Sequence, residues 1–365
     1  REVRTLGPTH SLADYVSALE KALTADGPAL GCGPVHSTSV RSDISLLVAT
    51  SGSTGTPKEI ALTSAALTSS ATASNKFLKA AKGDTWSLLL PLTHIAGINV
   101  LVRAMQLGTE PRDLRNHVGS YPHADFTAIV PTQLFNALNE NSDLLKHLQG
   151  AKAVLVGGAS LSQDLRAQGV AAGINIVATY GMSETSGGCI YDGVALDGVA
   201  FEIASDGRIK IAGPVLADIE KENGWFITQD LGKIVDGKLQ VIGRADDVII
   251  SGGENISLSA IEAEIHRKFP NLSVAAFSTP DSKWGQALHI AVQSTDEKIK
   301  SELNIKRTVN IHILNITIKK RSYQFRFIYK IFTIESNNII MFIINMFSLC
   351  CFFLFFLMII KLFYI

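Results

Sequence analysis

Residues 296–365 contain no glycine, no proline and no alanine, although the preceding chain holds all 29 glycines and all 11 prolines of the 365 residues. A globular domain uses glycine and proline to turn its backbone, so this stretch differs in kind from what precedes it. Cysteine is scarce as well. Cys32, Cys189, Cys350 and Cys351 form no C-x-x-C or Cys/His spacing, which argues against a disulfide framework or a zinc site and for a reduced, intracellular body. No charge surplus exists, since 33 Lys and Arg face 33 Asp and Glu. Neither nucleic acid nor an acidic surface is therefore an expected partner. Residues 1–15 also lack the long apolar run of a signal segment.

The even balance conceals a split, because residues 296–365 hold 10 of the basic residues and only 4 of the acidic ones. Within them, residues 339–360 are apolar apart from Asn345 and Ser348, and about twenty apolar residues suffice to cross a bilayer as a helix. The anomalous tail, residues 323–365, admits two explanations. It is a membrane tether through 339–360 ended by Lys361, or a frame-disrupted sequence whose bias merely imitates one. The protein is expected to be cytoplasmic unless the tail is genuine and tethers it to a membrane.

What is present before the tail is an α/β pattern. Residues 45–250 alternate short apolar runs with helical stretches. SLLVAT (45–50), TWSLLL (85–90), FTAIV (126–130), AKAVLV (151–156) and INIVAT (174–179) read as strands, each followed by a turn or a helix start. ALTSAALTSSATASNKFLKA (61–80) reads as one long helix of small residues. After about residue 194 the pattern becomes short alternating strands joined by Asp-Gly turns, a small antiparallel layer. In ISLSAIEAEIHRKF, Ile261, Ile265 and Phe269 share a helical stripe, and Ser259 with Glu262 makes a capping box. VAAFSTPD and ALHIAVQ supply strands of a terminal domain. The expected architecture is a large α/β N-terminal domain with a small β-rich subdomain, residues 1–245. A partial, small and mobile α+β domain, residues 246–322, follows, with the boundary near Ala245–Asp247.

Three clusters carry polar chemistry. ATSGSTGTPKE (49–59) lies between an apolar strand and the expected helix, where Ser51, Thr54 and Lys58 suit a polyphosphate. It is not a Walker A loop, because Glu59 follows Lys58 and Pro57 precedes it. Composition alone leaves an exposed Ser/Gly linker as the alternative. ATYGMSETSGG then presents Tyr180, Glu184 and Thr185 after a strand, suited to a ring, a Mg2+ ion and a phosphate. VGGAS (156–160) is a further strand-to-glycine turn. In the third cluster, Asp230 can accept from two vicinal hydroxyls and Arg244 can reach phosphate or ribose oxygens. Asp246 and Asp247 read as a solvated turn or a hinge. His94 in PLTHIAG reads as an acyl-positioning group or a structural histidine. No Ser-His-Asp grouping, metal-ligand set or GxGxxG stands out, and GMSETSGG is not a nucleophile elbow.

TSGSTGTPKE, YGMSET, the aspartate of FITQD and GRADDVIISGGENI occur in the order found in the AMP-forming acyl- and aryl-CoA ligase superfamily, which the chain resembles over roughly residues 30–295. TYGMSETSGGCIYDGVALDGV looks most like the short o-succinylbenzoate–CoA ligases of menaquinone biosynthesis in high-GC Gram-positive bacteria. The resemblance implies a two-step ligase using ATP, Mg2+ and CoA on a small aromatic carboxylic acid. Ser51, Thr54 and Lys58 would hold the ATP phosphates, and Gly157, Gly158, Ala159 and Tyr180 would frame adenine. Glu184 would bind Mg2+, Thr185 the α-phosphate, Asp230 the ribose, and Arg244 the nucleotide. Asp246 would be the pivot of the small domain, His94 and the Ser186–Gly188 loop would line the acid pocket, and Gly252 and Gly253 would meet the pantetheine of CoA. A homo-oligomer is compatible with the family.

One departure stands out. The family carries a catalytic lysine in a Gly-Lys motif near the C-terminus. Here NIHILNITIKKRS (310–322) resembles its lead-in, but YQFRFIYKIFT contains no Gly-Lys. Neither Lys319 nor Lys320 takes its place. Impaired adenylation is one expectation. A ligase for another aryl or fatty acid and a non-catalytic nucleotide-binding remnant are the alternatives.

Overall fold

The computed structural model describes residues 1–7, 9–50, 58–251, 254–258, 261–262, 265, 269, 272–282, 284–293, 311–315, 329–331 and 342–344. Three parallel strands open it: β1 (Val3–Thr5), β2 (Ala29–Cys32) and β3 (Ile44–Thr50). Helix α1 (Leu12–Leu23) joins the first two, begun by a capping box in which Ser11 and Asp14 satisfy each other's backbone N–H groups. The glycine-rich loop does not lead into a helix. It leads into β4 (Lys58–Thr63), which returns antiparallel to β3 and pairs Lys58 with Thr50. The expected helix therefore loses its first three residues to β4. It starts one turn later as α2 (Ser64–Phe77), where the Thr63 hydroxyl accepts from the backbone of Ala66. Backbone pairing with β3 decides this, because Ala61, Leu62 and Thr63 carry no strong period of their own.

The central sheet is built from β5 (Trp86–Leu88), β6 (Arg112–Asp113), β7 (Phe126–Ile129), β8 (Ala153–Val156) and β9 (Ile176–Met182), all parallel. It is extended by antiparallel β10 (Gly187–Tyr191) and β11 (Val194–Ala195), in the spatial order β11-β10-β9-β8-β7-β5-β6. Its middle strands are buried along their whole length, as strands covered on both faces must be. Helices α2 and α3 (Ile95–Gln106) share one core with the first sheet, which includes Leu62, Leu67, Trp86, Ile98 and Phe126. Helices α4 (Pro131–Asn139), α5 (Ser142–Gln149) and α6 (Gln163–Ala171) cover a second core with Leu134, Leu148, Val154 and Ile176.

The antiparallel layer follows as β12 (Ala200–Ile203), β13 (Arg208–Ala212), β14 (Phe226–Val235) and β15 (Lys238–Arg244), paired in that order. Asp236 and Gly237, at φ 50° and 73°, close the β14–β15 turn, as a two-residue hairpin of the right twist requires. A 3-10 turn at Ala245–Asp247 separates this sheet from the next. That next sheet holds β16 (Val248–Ser251), β17 (Glu254–Ser257), β18 (Ser273–Asp281) and β19 (Gly285–Gln293), with β20 (Ile311–Asn315) parallel to β19. Ile256 and Ser257 belong to β17 rather than to the helical segment expected there. Ile261, Ile265 and Phe269 pack with Ile249, Leu288 and Ile290, while Ser259 lies outside the described residues. The short pair β21 (Tyr329–Ile331) and β22 (Phe342–Ile344) is the rest of the described tail. Apart from β22, the expected span 339–360 lies outside the described residues. Among those described, no helix is long and apolar enough to cross a membrane.

Candidate active site

Parallel strands release their following loops at one edge, so the central sheet brings distant residues together. β5 ends before the loop that carries His94, β8 ends at the glycine turn 157–158, and β9 runs on into Ser183–Thr185. All three lie at the carboxyl edge of one sheet. Gly33, after β2, sits beside both Ala49 of β3 and the Thr93 carbonyl, which places the root of the glycine-rich loop next to the His94 loop. On Gly157 a Cβ would come within 2.1 Å of Thr179 Oγ1, so β8 and β9 can lie this close only with glycine there.

Tyr180 crosses from this edge to the antiparallel layer. Its hydroxyl donates to Asp230 Oδ2 at 2.7 Å, and its ring packs against the core of Cys189, Ile190, Ile209 and Ile211. Burial, then the Asp230 charge, push the phenol well above its ordinary 10.0. Asp230 lies opposite Arg244 across β14 and β15. Arg244 Nη1 stands 3.8 Å from Asp230 Oδ1, an ion pair too exposed to contribute much to stability.

Glu184 and Thr185 behave differently although adjacent. The Glu184 carboxylate is half-buried and makes no hydrogen bond or ion pair among the described residues. A lone accessible carboxylate at a strand edge fits Mg2+, which binds through one or two carboxylates together with substrate phosphates. Among the described residues no group of three acidic, histidine or cysteine side chains forms a metal cage. Thr185 is fully buried, and its hydroxyl donates to Gly187 O at 2.7 Å or Met182 O at 3.1 Å while accepting from Met182 N. It shapes the turn and can reach a phosphate only by giving up one of these bonds. The Ser186 side chain is likewise buried and donates to Val215 O at 2.7 Å.

Backbone straps fix this turn from outside. Ala217 N donates to Glu184 O and Asp218 N donates to Ala61 O, both at 2.9 Å. The segment Val215–Asp218 therefore joins the Glu184 turn to β4, the strand that begins with Lys58. Lys58 is exposed, as are Gly158, Ala159 and His94, while Gly157 is half-buried. His94 begins α3 without a side-chain cap bond. Ser51, Thr54, Gly252, Gly253 and the Asp246 side chain lie outside what the structure describes. The straps at Val215–Asp218, and Ser70 and Asn99 beneath the turn, carry no motif in the sequence. Only Asn99, an amide among the apolar residues of α3, hints at its own role.

Strand ends of open α/β sheets are where nucleotides bind, and the groups gathered at this one suit a nucleotide with a metal-bound polyphosphate. A model of the AMP-binding enzyme family matches residues 8–221, and the chain belongs to that family. It is 36% identical over 338 residues to a probable 2-succinylbenzoate–CoA ligase of Mycobacterium tuberculosis, with 83% of this chain and 88% of that one covered. To a 2-succinylbenzoate–CoA ligase of Bacillus cereus it is 28% identical over 315 residues, with 74% and 65% covered. Among solved structures, the o-succinylbenzoate coenzyme A synthetase of Bacillus subtilis in complex with ATP and magnesium ion gives a TM-score of 0.64 at 20% identity. That match covers 85% of this chain and 80% of the other. Such a likeness shows the fold.

Proposed function

We propose that the protein is an AMP-forming ligase that joins 2-succinylbenzoate to CoA through an acyl adenylate. The observation that carries this is the gathering of Gly157, Tyr180 and Glu184 at one sheet edge, with Asp230 bonded to Tyr180 across it. The 36% identity to the mycobacterial ligase supports the choice of acid. A carboxylate is a poor electrophile until one of its oxygens leaves with a good leaving group. In the first step the acid oxygen attacks the α-phosphorus of ATP and pyrophosphate departs. In the second the CoA sulfur attacks the acyl carbon, the C–O bond to AMP breaks, and AMP leaves.

Both anions of the first step must be brought together against their repulsion, which calls for preorganised positive charge and donors. Lys58, with Ser51 and Thr54, would hold the phosphates. Gly157, Gly158, Ala159 and Tyr180 would frame the base, and Asp230 with Arg244 the ribose. His94 would face the acid. Thr185 would meet the α-phosphate after exchanging a backbone bond for it. Mg2+ held by Glu184 would neutralise phosphate charge. Rotation about Asp246 would bring Gly252 and Gly253 toward pantetheine for the second step. A cytoplasmic location suits these substrates.

The test separates the half-reactions. Pyrophosphate release from 2-succinylbenzoate, ATP and Mg2+ reports the first, and thioester formation from supplied 2-succinylbenzoyl-AMP and CoA reports the second. The absence of a Gly-Lys motif after residue 296 favours a second version of this function, in which only the thioester step is fast. Activity on a different acid would refute the substrate, and ATP binding without either half-reaction would refute the ligase.

A further inference from the structure

Strand β10 is held by two matching pairs of side chains. On α2, Ser70 and Ser74 stand one helical turn apart, and on α3 so do Asn99 and Arg103. Ser70 Oγ donates to Ser186 O at 3.1 Å, and Asn99 Nδ2 donates to the same carbonyl at 2.8 Å. At the far end of the strand, Ser74 Oγ shares a bond with the Tyr191 hydroxyl at 2.9 Å, to which Arg103 Nη2 donates at 3.1 Å. All four side chains are buried.

The first pair does more than fill space. Ser186 is left-handed at φ 52° and directly follows Glu184 and Thr185. Its carbonyl takes two side-chain donors from two helices, which fixes the direction in which the chain leaves the Glu184 turn. Asn99 Oδ1 has no hydrogen-bond partner among the described residues and is buried. Leaving such an acceptor unsatisfied is unfavourable. An apolar side chain would avoid that cost, so the gain from the amide lies in its contact with Ser186. Gly187 points the same way, because a Cβ there would stand 2.2 Å from Asn99 Nδ2. The backbone has been kept bare where the amide comes through.

We propose that Ser70 and Asn99 are positioning residues that set the Glu184 carboxylate for Mg2+ by clamping the Ser186 carbonyl. They couple that turn to α3, the helix that begins at His94. The proposal rests on the ligase function, with Glu184 as the metal-binding group.

The test is ATP affinity by isothermal titration, with Mg2+ and with EDTA, for the full chain and for Ser70→Ala, Asn99→Ala and Ser74→Ala. Thermal melts accompany each variant. Losing one such bond should weaken ATP binding in Mg2+ about fivefold for Ser70→Ala and about tenfold for Asn99→Ala, with binding in EDTA within about twofold of wild type. Ser74→Ala, in the distant pair, should leave the Mg2+/EDTA ratio unchanged. Should Asn99→Ala fail to fold, Ser70→Ala still decides the matter. Equal losses in Mg2+ and EDTA, or a wild-type ratio in a folded Ser70→Ala, overturn the positioning role while leaving the function standing. A wild-type protein that binds ATP equally in both, or not at all, overturns the function and the clamp with it.

Discussion

The Tyr180 hydroxyl donates to Asp230 Oδ2 across 2.7 Å, joining the end of a parallel strand to an antiparallel layer fifty residues away in sequence. The bond ties the group that would frame adenine to the group that would hold ribose. It also leaves Asp230 Oδ1 facing Arg244.

The buried Tyr180 phenol makes stability sensitive to alkali. The folded phenol is held well above 10.0, by burial and then by the Asp230 charge. The contribution is complete below pH 10, and it is lost as pH rises toward the folded value because the unfolded chain releases the proton first. Tyr180→Phe should therefore lose less of its melting temperature between pH 9 and 11 than wild type does. Parallel curves would show that Tyr180 does not carry the effect.

A second pH dependence lies on the opposite side. His147 is buried in α5, with its Nε2 2.9 Å from the Ser87 hydroxyl. Burial holds it below its ordinary 6.5, against a backbone contact to Pro122 and alongside His123, His117 and Arg112. Below pH 6.5 the unfolded chain takes the proton before the folded one, so stability falls as pH drops through that window. Melting temperatures of wild type and His147→Gln, followed from pH 7 to pH 4.5, should diverge, with the variant losing less. The buffer must be one that does not bind the protein.

Gly187 and Gly173 separate crowding from backbone strain. Both have positive φ, 91° and 86°, but a Cβ on Gly173 meets nothing within 4 Å, whereas one on Gly187 meets Asn99. Gly173→Ala should cost about 1 kcal/mol of unfolding free energy, from conformation alone. Gly187→Ala should cost about 3 kcal/mol, as crowding adds to the strain. Denaturant titration gives both values, and equal costs would mean that Asn99 swings aside freely.

Glu184→Gln keeps the shape of the turn and removes the charge. If Glu184 holds the metal, the variant should need about tenfold more Mg2+ for half-maximal pyrophosphate release, the loss of roughly 1.4 kcal/mol at one ligand. Its thioester step from supplied acyl adenylate should stay near wild type. An unchanged Mg2+ requirement would move the metal site elsewhere.

Much of the architecture was legible because burial leaves a trace in composition. Apart from Lys152 and Thr127, AKAVLV and FTAIV are apolar on both strand faces, as covered parallel strands must be, and both supply strands of the central sheet. β4 was not legible. KEIALT mixes helix formers with strand formers, and what selects the strand is a backbone ladder to β3 that no side chain announces. Tyr180, Glu184 and Asp230 were each visible as chemistry-bearing residues, but nothing in their spacing showed the Tyr180–Asp230 bond. Ser70 and Ser74 passed for ordinary small residues of a packed helix, since a serine bonded to a distant carbonyl looks the same in sequence as one bonded to its own helix.

The order and identity of the motif residues determined the family and the chemistry open to it, because loops with those side chains at strand ends can hold phosphate, metal and ribose. Tertiary structure decided which of those side chains are free to do so. Glu184 stays without a partner among the described residues, while Thr185 and Ser186 spend their hydroxyls inside the protein. A buried polar group must be paired, and whether its partner is a ligand or a neighbouring carbonyl depends on which segments the fold brings alongside it.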